Sequence, residues 1–138
     1  MKTLIIYCTL FFGLWSANNP QLVINIENIE SIQGDLIIGI YNTEKGFLEA
    51  GTEIKHYKLT VVKNTERLVI NDLPAGNYAI SMFHDENSDG ICNKNFMGIP
   101  KEPYGFSNNF KPKFSAPKFE DCKFSFSKNH EIQIRLVN

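Results

Sequence analysis

From Leu22 onward, apolar residues recur at every second position within short runs, and no run keeps helical spacing. Leu22, Ile24 and Ile26 alternate through the first run. Leu36, Ile38 and Ile40 form the second, after a Gln33-Gly34-Asp35 turn. Residues 56–62 make a third, and Leu68 with Ile70 a fourth. Tyr78, Ile80 and Met82 carry the fifth, with Ala79, Ser81 and Phe83 on its other side. Phe124 and Phe126 mark the sixth, and Ile132, Ile134 and Leu136 the seventh. Period 2 between turn residues predicts half-buried antiparallel strands, because successive strand side chains point to opposite faces. Each sheet must bury its apolar face against another layer, so the chain is expected to be an all-β, seven-stranded antiparallel sandwich.

One stretch breaks this rhythm. Residues 86–118 show no strand pattern and hold four of the six prolines. So long a connection without elements of its own is usually functional or disordered. Phe96, Met97, Ile99, Tyr104, Phe106, Phe110 and Phe114 supply apolar surface that a disordered linker lacks. The expectation is therefore an ordered, Ω-like excursion pinned to the sandwich by these side chains. A shorter irregular stretch, residues 42–51, has Gly46 for a turn and Phe47-Leu48 to tuck against the core.

At the N-terminus, Lys2 precedes an apolar run, Leu4 to Trp15, that ends at the small residues Ser16 and Ala17. This is the pattern of a secretory signal over residues 1–17, and the run is shorter than the ~20 apolar residues a membrane span needs. Cys8 lacks the small preceding residues of a lipid-anchor signal. Residues 18–138 then form one domain of 121 residues, exported to the periplasm or outside the cell, with no further membrane span. The charge balance, 14 basic against 15 acidic residues, offers no basic patch for nucleic acid. Past the signal, Cys92 and Cys122 remain. In an oxidising compartment they either pair, closing a loop of about 30 residues worth roughly 3–4 kcal/mol, or stay separate as small buried thiols.

The densest chemistry lies in His84-Asp-Glu-Asn-Ser-Asp-Gly-Ile-Cys-Asn93. Asp85, Asn87 and Asp89 occupy positions 1, 3 and 5 of a calcium-type loop, with Gly90 at 6, the Ile91 carbonyl at 7 and Asn93 at 9. Alternate side chains of a tight loop converge, and Ca²⁺ takes six to eight such oxygens. Position 12 is Phe96, so the usual bidentate Glu is missing, and Glu86, Asn95, Glu102 or Asp121 would have to complete the shell. The same residues equally suit an Asx-rich turn that caps its own amides, with Gly90 at positive φ. His84, Asp85 and Ser107 are the types a hydrolase needs, but Gly-Phe-Ser-Asn-Asn lacks the glycine-flanked nucleophile elbow. Leu73-Pro-Ala-Gly-Asn-Tyr78 reads as a turn entering a strand.

Residues 73–90, Leu-Pro-Ala-Gly-Asn-Tyr-Ala-Ile-Ser-Met-Phe-His-Asp-Glu-Asn-Ser-Asp-Gly, lead on to 95–109, Asn-Phe-Met-Gly-Ile-Pro-Lys-Glu-Pro-Tyr-Gly-Phe-Ser-Asn-Asn. With Phe119-Glu120-Asp121 they resemble an exported bacterial family called domain of unknown function 2141, over essentially all of residues 18–138. Leu-Pro-Ala-Gly-Asn-Tyr is also similar, more loosely, to the turn of transthyretin-like and carboxypeptidase-regulatory-like sandwiches. The resemblance implies an envelope-located Ig-like or transthyretin-like sandwich and brings no activity with it. Cys92 and Cys122 depart from the family pattern together, as does Ser115-Ala116-Pro117 where a Gly-Pro-Pro-like turn is expected. Three functions follow as expectations. The first is a non-catalytic module, steadied by Ca²⁺ or by its own turn network. It would present residues 84–117, with His84, Phe96, Glu102, Tyr104, Phe106, Ser107 and Asn108 as its surface, to an envelope or extracellular protein or glycan. The second is a carbohydrate-binding module with exposed coplanar rings; the third is a hydrolase built on His84.

Overall fold

The structure, a computed structural model, describes residues 20–138; the expected export signal at 1–17 lies outside the described residues. Among the described residues eight strands form: β1 (Leu22–Glu27), β2 (Asp35–Tyr41), β3 (Lys55–Thr60), β4 (Glu66–Ile70), β5 (Gly76–Asp85), β6 (Tyr104–Phe106), β7 (Phe124–Phe126) and β8 (His130–Arg135). A 3-10 turn at Ser107–Asn109 and a one-turn helix, α1 (Phe119–Cys122), complete the regular structure. One sheet has the order β4-β1-β8. The other has β3-β2-β5-β6, with β7 also paired to β5. The alternating residues of β1 and β2, together with Tyr78, Ile80, Met82, Phe126, Ile134 and Leu136, fill a single core between the sheets. This is a β-sandwich.

Two details differ from the seven antiparallel strands expected. An eighth strand, β6, lies inside the 86–118 stretch. Three residues are too few to display alternation, and Gly105 at its centre carries no side chain to count. A Cβ there would stand 2.8 Å from Ile134 Cγ2, so glycine lets β6 approach β8. Moreover, β1 and β8 run parallel, from Leu22↔His130 to Glu27↔Arg135. No hairpin joins these two strands, so nothing local dictates their direction; the shared core does.

β6 and β7 occupy one edge of β5 end to end, pairing with Ser81–Phe83 and Gly76–Tyr78 respectively. Ile80 falls in the gap. Its N–H donates to Ser107 Oγ at 2.9 Å, and that hydroxyl donates to the Cys122 carbonyl at 2.5 Å. A buried amide needs a partner, and Ser107 stands in for the missing ladder bond. On the outer face of this sheet Tyr41, Ala79, Phe119 and Cys122 make a second, smaller core against Phe47, Phe106 and Phe110. Phe47 meets Tyr41 and Phe119 edge-on at 5.2 and 5.9 Å, as its expected tuck requires. The excursion is therefore pinned by Phe106 and Phe110, with Tyr104 half-buried. Phe96, Met97, Ile99 and Phe114, expected as pins, instead project into solvent.

Candidate functional site

β5 ends at His84 and Asp85, both wholly buried. The His84 main-chain N–H donates to the Pro103 carbonyl at 2.8 Å, and its Nε2–H to the Gln33 carbonyl at 2.7 Å. Among the described residues Nδ1 has no hydrogen-bond partner, and it stands 3.8 Å from Glu86 Oε1. The Asp85 carboxylate accepts the amides of Asp89 and Gly90, at 3.0 and 2.8 Å. Asn87 Oδ1 also accepts the Asp89 amide, and Asp89 Oδ1 accepts the Ile91 amide at 2.8 Å. Asn87 Nδ2 and Asn93 Nδ2 both donate to Asp89 Oδ2, at 2.8 and 3.0 Å. Short Asx side chains reach amides one turn ahead, and Gly90 takes the positive φ, 76°, that the turn demands. Hydrogen bonds from Asn93, the Ile91 amide and Asn87 hold the Asp89 carboxyl below its ordinary range.

A residue without sequence signal underpins this loop. Asp35, at the start of β2, is buried and accepts from Lys58 Nζ at 3.0 Å, Thr60 Oγ1 at 2.9 Å and Ser88 Oγ at 3.3 Å. Lys58 first, then Thr60, lowers its pKa. It ties the loop to β2 and β3, and nothing but its place after Gly34 marks it in the chain.

For Ca²⁺ the fit is partial. Asn87, Asp89 and Asn93 converge on one point, where a half-turn of either amide exchanges a donor for an oxygen. Asp85 and Asp89 keep free lone pairs, and Glu102 Oε2 lies against the loop, accepting the Asn93 amide at 3.0 Å. Among the described residues no three His, Cys, Asp or Glu side chains stand together as a metal-holding group. Any ion would thus rest on a mixed set of carboxylate, amide and carbonyl oxygens.

The remaining expected residues separate. Ser107 anchors at Ile80, four strand residues or about 13 Å from His84. Its hydroxyl is buried and committed, so the two form no nucleophile–base pair. Tyr104 and Phe106 lie 5.8 Å apart with planes tilted by 58°, which is no flat platform for a sugar. Asn108 is exposed at φ 62° and donates to the Asp121 and Lys123 carbonyls. Among the described residues Cys92 and Cys122 stand as free thiols, so of the two expected states it is the unpaired one that the structure shows. Cys122 is held beside Ile80 through Ser107, whereas Cys92 lies in the loop beyond Asp85 at the end of β5. Burial pushes the Cys122 thiol up to about 12, with Asp121 adding to it; burial also raises Cys92, which is only half-buried. In the folded protein iodoacetamide should therefore modify Cys92 well before Cys122, which should react only on unfolding. Mass spectrometry of both peptides checks this; two unreactive cysteines in a chain two hydrogens lighter would show a bridge instead.

Beyond the Asx turn, residues 94–100 fold into a small hairpin. Lys94 and Pro100 are bridged, and Asn95 Oδ1 accepts the amides of Met97 and Ile99 at 2.9 and 3.0 Å. Gly98 closes the turn at φ 79°. Phe96 at its tip is 98% exposed, and Ile91, Met97 and Ile99 are more than half exposed.

The class so defined is a small β-sandwich carrying an Asx-rich loop and an apolar hairpin at the end of its central strand. The chain belongs to the family described as uncharacterized protein conserved in bacteria (DUF2141), whose model matches residues 24–134. Comparison with curated proteins and with solved structures finds no match.

Proposed function

We propose that this chain is an exported, non-catalytic module whose 84–117 excursion docks on a partner, a protein or glycan, in the periplasm or outside the cell. Export is supported by the charged, apolar and small-residue succession of residues 1–17. The docking reading is carried by one observation: Ile91, Phe96, Met97 and Ile99 are exposed together on a stretch that its own hydrogen bonds hold in shape. Side chains of this size are exposed at a cost in water that folding does not recover, and contiguous ones mark contact surfaces. A preformed hairpin loses little entropy when it binds. A protein suits this tip better than a glycan, since Phe96 stands alone rather than in a plane of rings. Ca²⁺ held by Asp85, Asn87, Asp89, the Ile91 carbonyl and Asn93, beside Glu102, would stiffen the base of the hairpin. Its affinity would be weak, on the order of the 10⁻⁴–10⁻³ M of extracellular modules.

The test is site-specific photo-crosslinking in the native bacterium. A photoreactive residue at Phe96 should give a discrete adduct, whereas one at Val62, also exposed on the β3–β4 connection, should give none. Changing Met97 and Ile99 to serine should reduce the adduct about tenfold or more. Identical patterns at positions 96 and 62 would dismiss the docking reading.

A further inference from the structure

The second half of the excursion differs in charge from the rest of the molecule. Residues 103–119 contain no Asp or Glu and three lysines, Lys111, Lys113 and Lys118; the other positions hold eleven basic residues against fifteen acidic. All three lysines are exposed, and among the described residues none is in an ion pair. Two carboxylates adjoin the strap: Glu120 pairs with Lys123, and Asp121, at the wall of the strap's concavity, accepts the Lys118 main-chain N–H at 2.8 Å. Between the lysines the strap is apolar. Phe110 is half-buried against the outer core, Pro117 is buried at the other end, and Phe114 between them is fully exposed. Phe110, Pro112, Phe114 and Ala116 line an open concavity of about 380 Å³ that three lysines and one carboxylate, Asp121, border.

We infer that this strap, residues 110–118, is a docking surface for an anionic lipid bilayer. Phe114 enters the headgroup boundary, while Lys111, Lys113 and Lys118 keep their ammonium groups level with the phosphates above their buried stems. Anchors at both ends keep the aromatic tip outward. The residues involved are not those of the hairpin, so this inference and the docking reading of residues 91–99 stand or fall separately.

The test is partitioning of the chain, as recovered from an expressing bacterium, onto vesicles of equal parts phosphatidylcholine and phosphatidylglycerol against phosphatidylcholine alone. The anionic-to-neutral ratio is the readout, so an N-terminal apolar run still attached counts equally in both. The chain should prefer anionic vesicles, and added salt should weaken the preference. Replacing the three lysines by glutamine should reduce anionic binding ~100-fold, at about fivefold per lysine. Phe114→Ser should reduce binding on the order of tenfold. Lys63→Gln and the Phe96→Ser/Met97→Ser pair should leave it unchanged, with every variant melting as the parent does. Equal partition onto the two vesicle types, or no effect of the lysine variant, overturns the inference. Loss of binding in the Phe96→Ser/Met97→Ser pair would move insertion to the hairpin and overturn it too. Capture by immobilised polyglutamate that matches vesicle binding and survives Phe114→Ser would assign the lysines to an acidic protein instead.

Discussion

Gly34→Ala should lower the stability of this protein by about 3 kcal/mol or more, roughly 12 °C in melting temperature. Gly34 sits at φ 67°, a left-handed conformation that costs other residues about 1–2 kcal/mol. Worse, an added Cβ would lie 2.1 Å from the Asp85 carbonyl oxygen and 2.8 Å from Glu86 Cα. Both are backbone atoms, so no side chain can swing aside; β2 and β5 would have to part where the acidic loop begins. Relief at that point would also disturb the Val61 amide, which donates to the Gly34 carbonyl at 3.1 Å. Gly51→Ala is the control, because Gly51 has φ 83° but open space around its Cβ position. It should show the backbone cost alone, about 1–2 kcal/mol. Thermal unfolding of the two variants decides: equal losses would mean that the approach to Asp85 carries no weight.

Asp85→Ala should cost about 2–3 kcal/mol, or roughly 10 °C. The carboxylate is buried and accepts two amides, and hydrogen bonds to a charged acceptor are the stronger kind. Without it the Gly90 amide turns to water, the Asp89 amide keeps only its 3.2 Å bond to Asn87 Oδ1, and the hairpin beyond them loosens. A second arm concerns the cation. At a Ca²⁺ concentration ten times the dissociation constant, the parent chain should gain about 1.4 kcal/mol, near 5 °C, and Asp85→Ala nothing. Should Ca²⁺ leave the parent's melting unmoved, the metal is dismissed, while the cost of Asp85→Ala still measures the turn network. Should Asp85→Ala melt like the parent, the network is not what orders the loop.

Much of this fold was legible in the chain because alternation is a local property. Leu22, Ile24 and Ile26, and Leu36, Ile38 and Ile40, are all fully buried where period 2 places them. The Asx turn was legible as one of two readings of that loop, beside a calcium shell: Asp85, Asn87 and Asp89 bond amides within five residues, and Gly90 takes its positive φ. Apolar identity was a poorer guide in the excursion. Phe96 and Phe110 look alike in sequence, yet one is almost wholly exposed and the other packs beside Phe119. Which aromatic is an anchor depends on what stands opposite it, and the chain does not say.

Ser107 makes the same point for polar groups. Its type suggested a nucleophile, but its hydroxyl fills the gap between β6 and β7 on the edge of β5. Asp35 carried no signal, because its partners Lys58, Thr60 and Ser88 arrive from other elements. The sequence alone thus determined the strand character, the sandwich class and the place of the Asx-rich loop, all properties of residues a few positions apart. Only the tertiary structure decided the parallel β1–β8 pair, the separation of Cys92 from Cys122, and which apolar side chains reach solvent. Those depend on contacts between segments far apart in the chain, where packing and backbone hydrogen bonding, rather than local spacing, select the outcome.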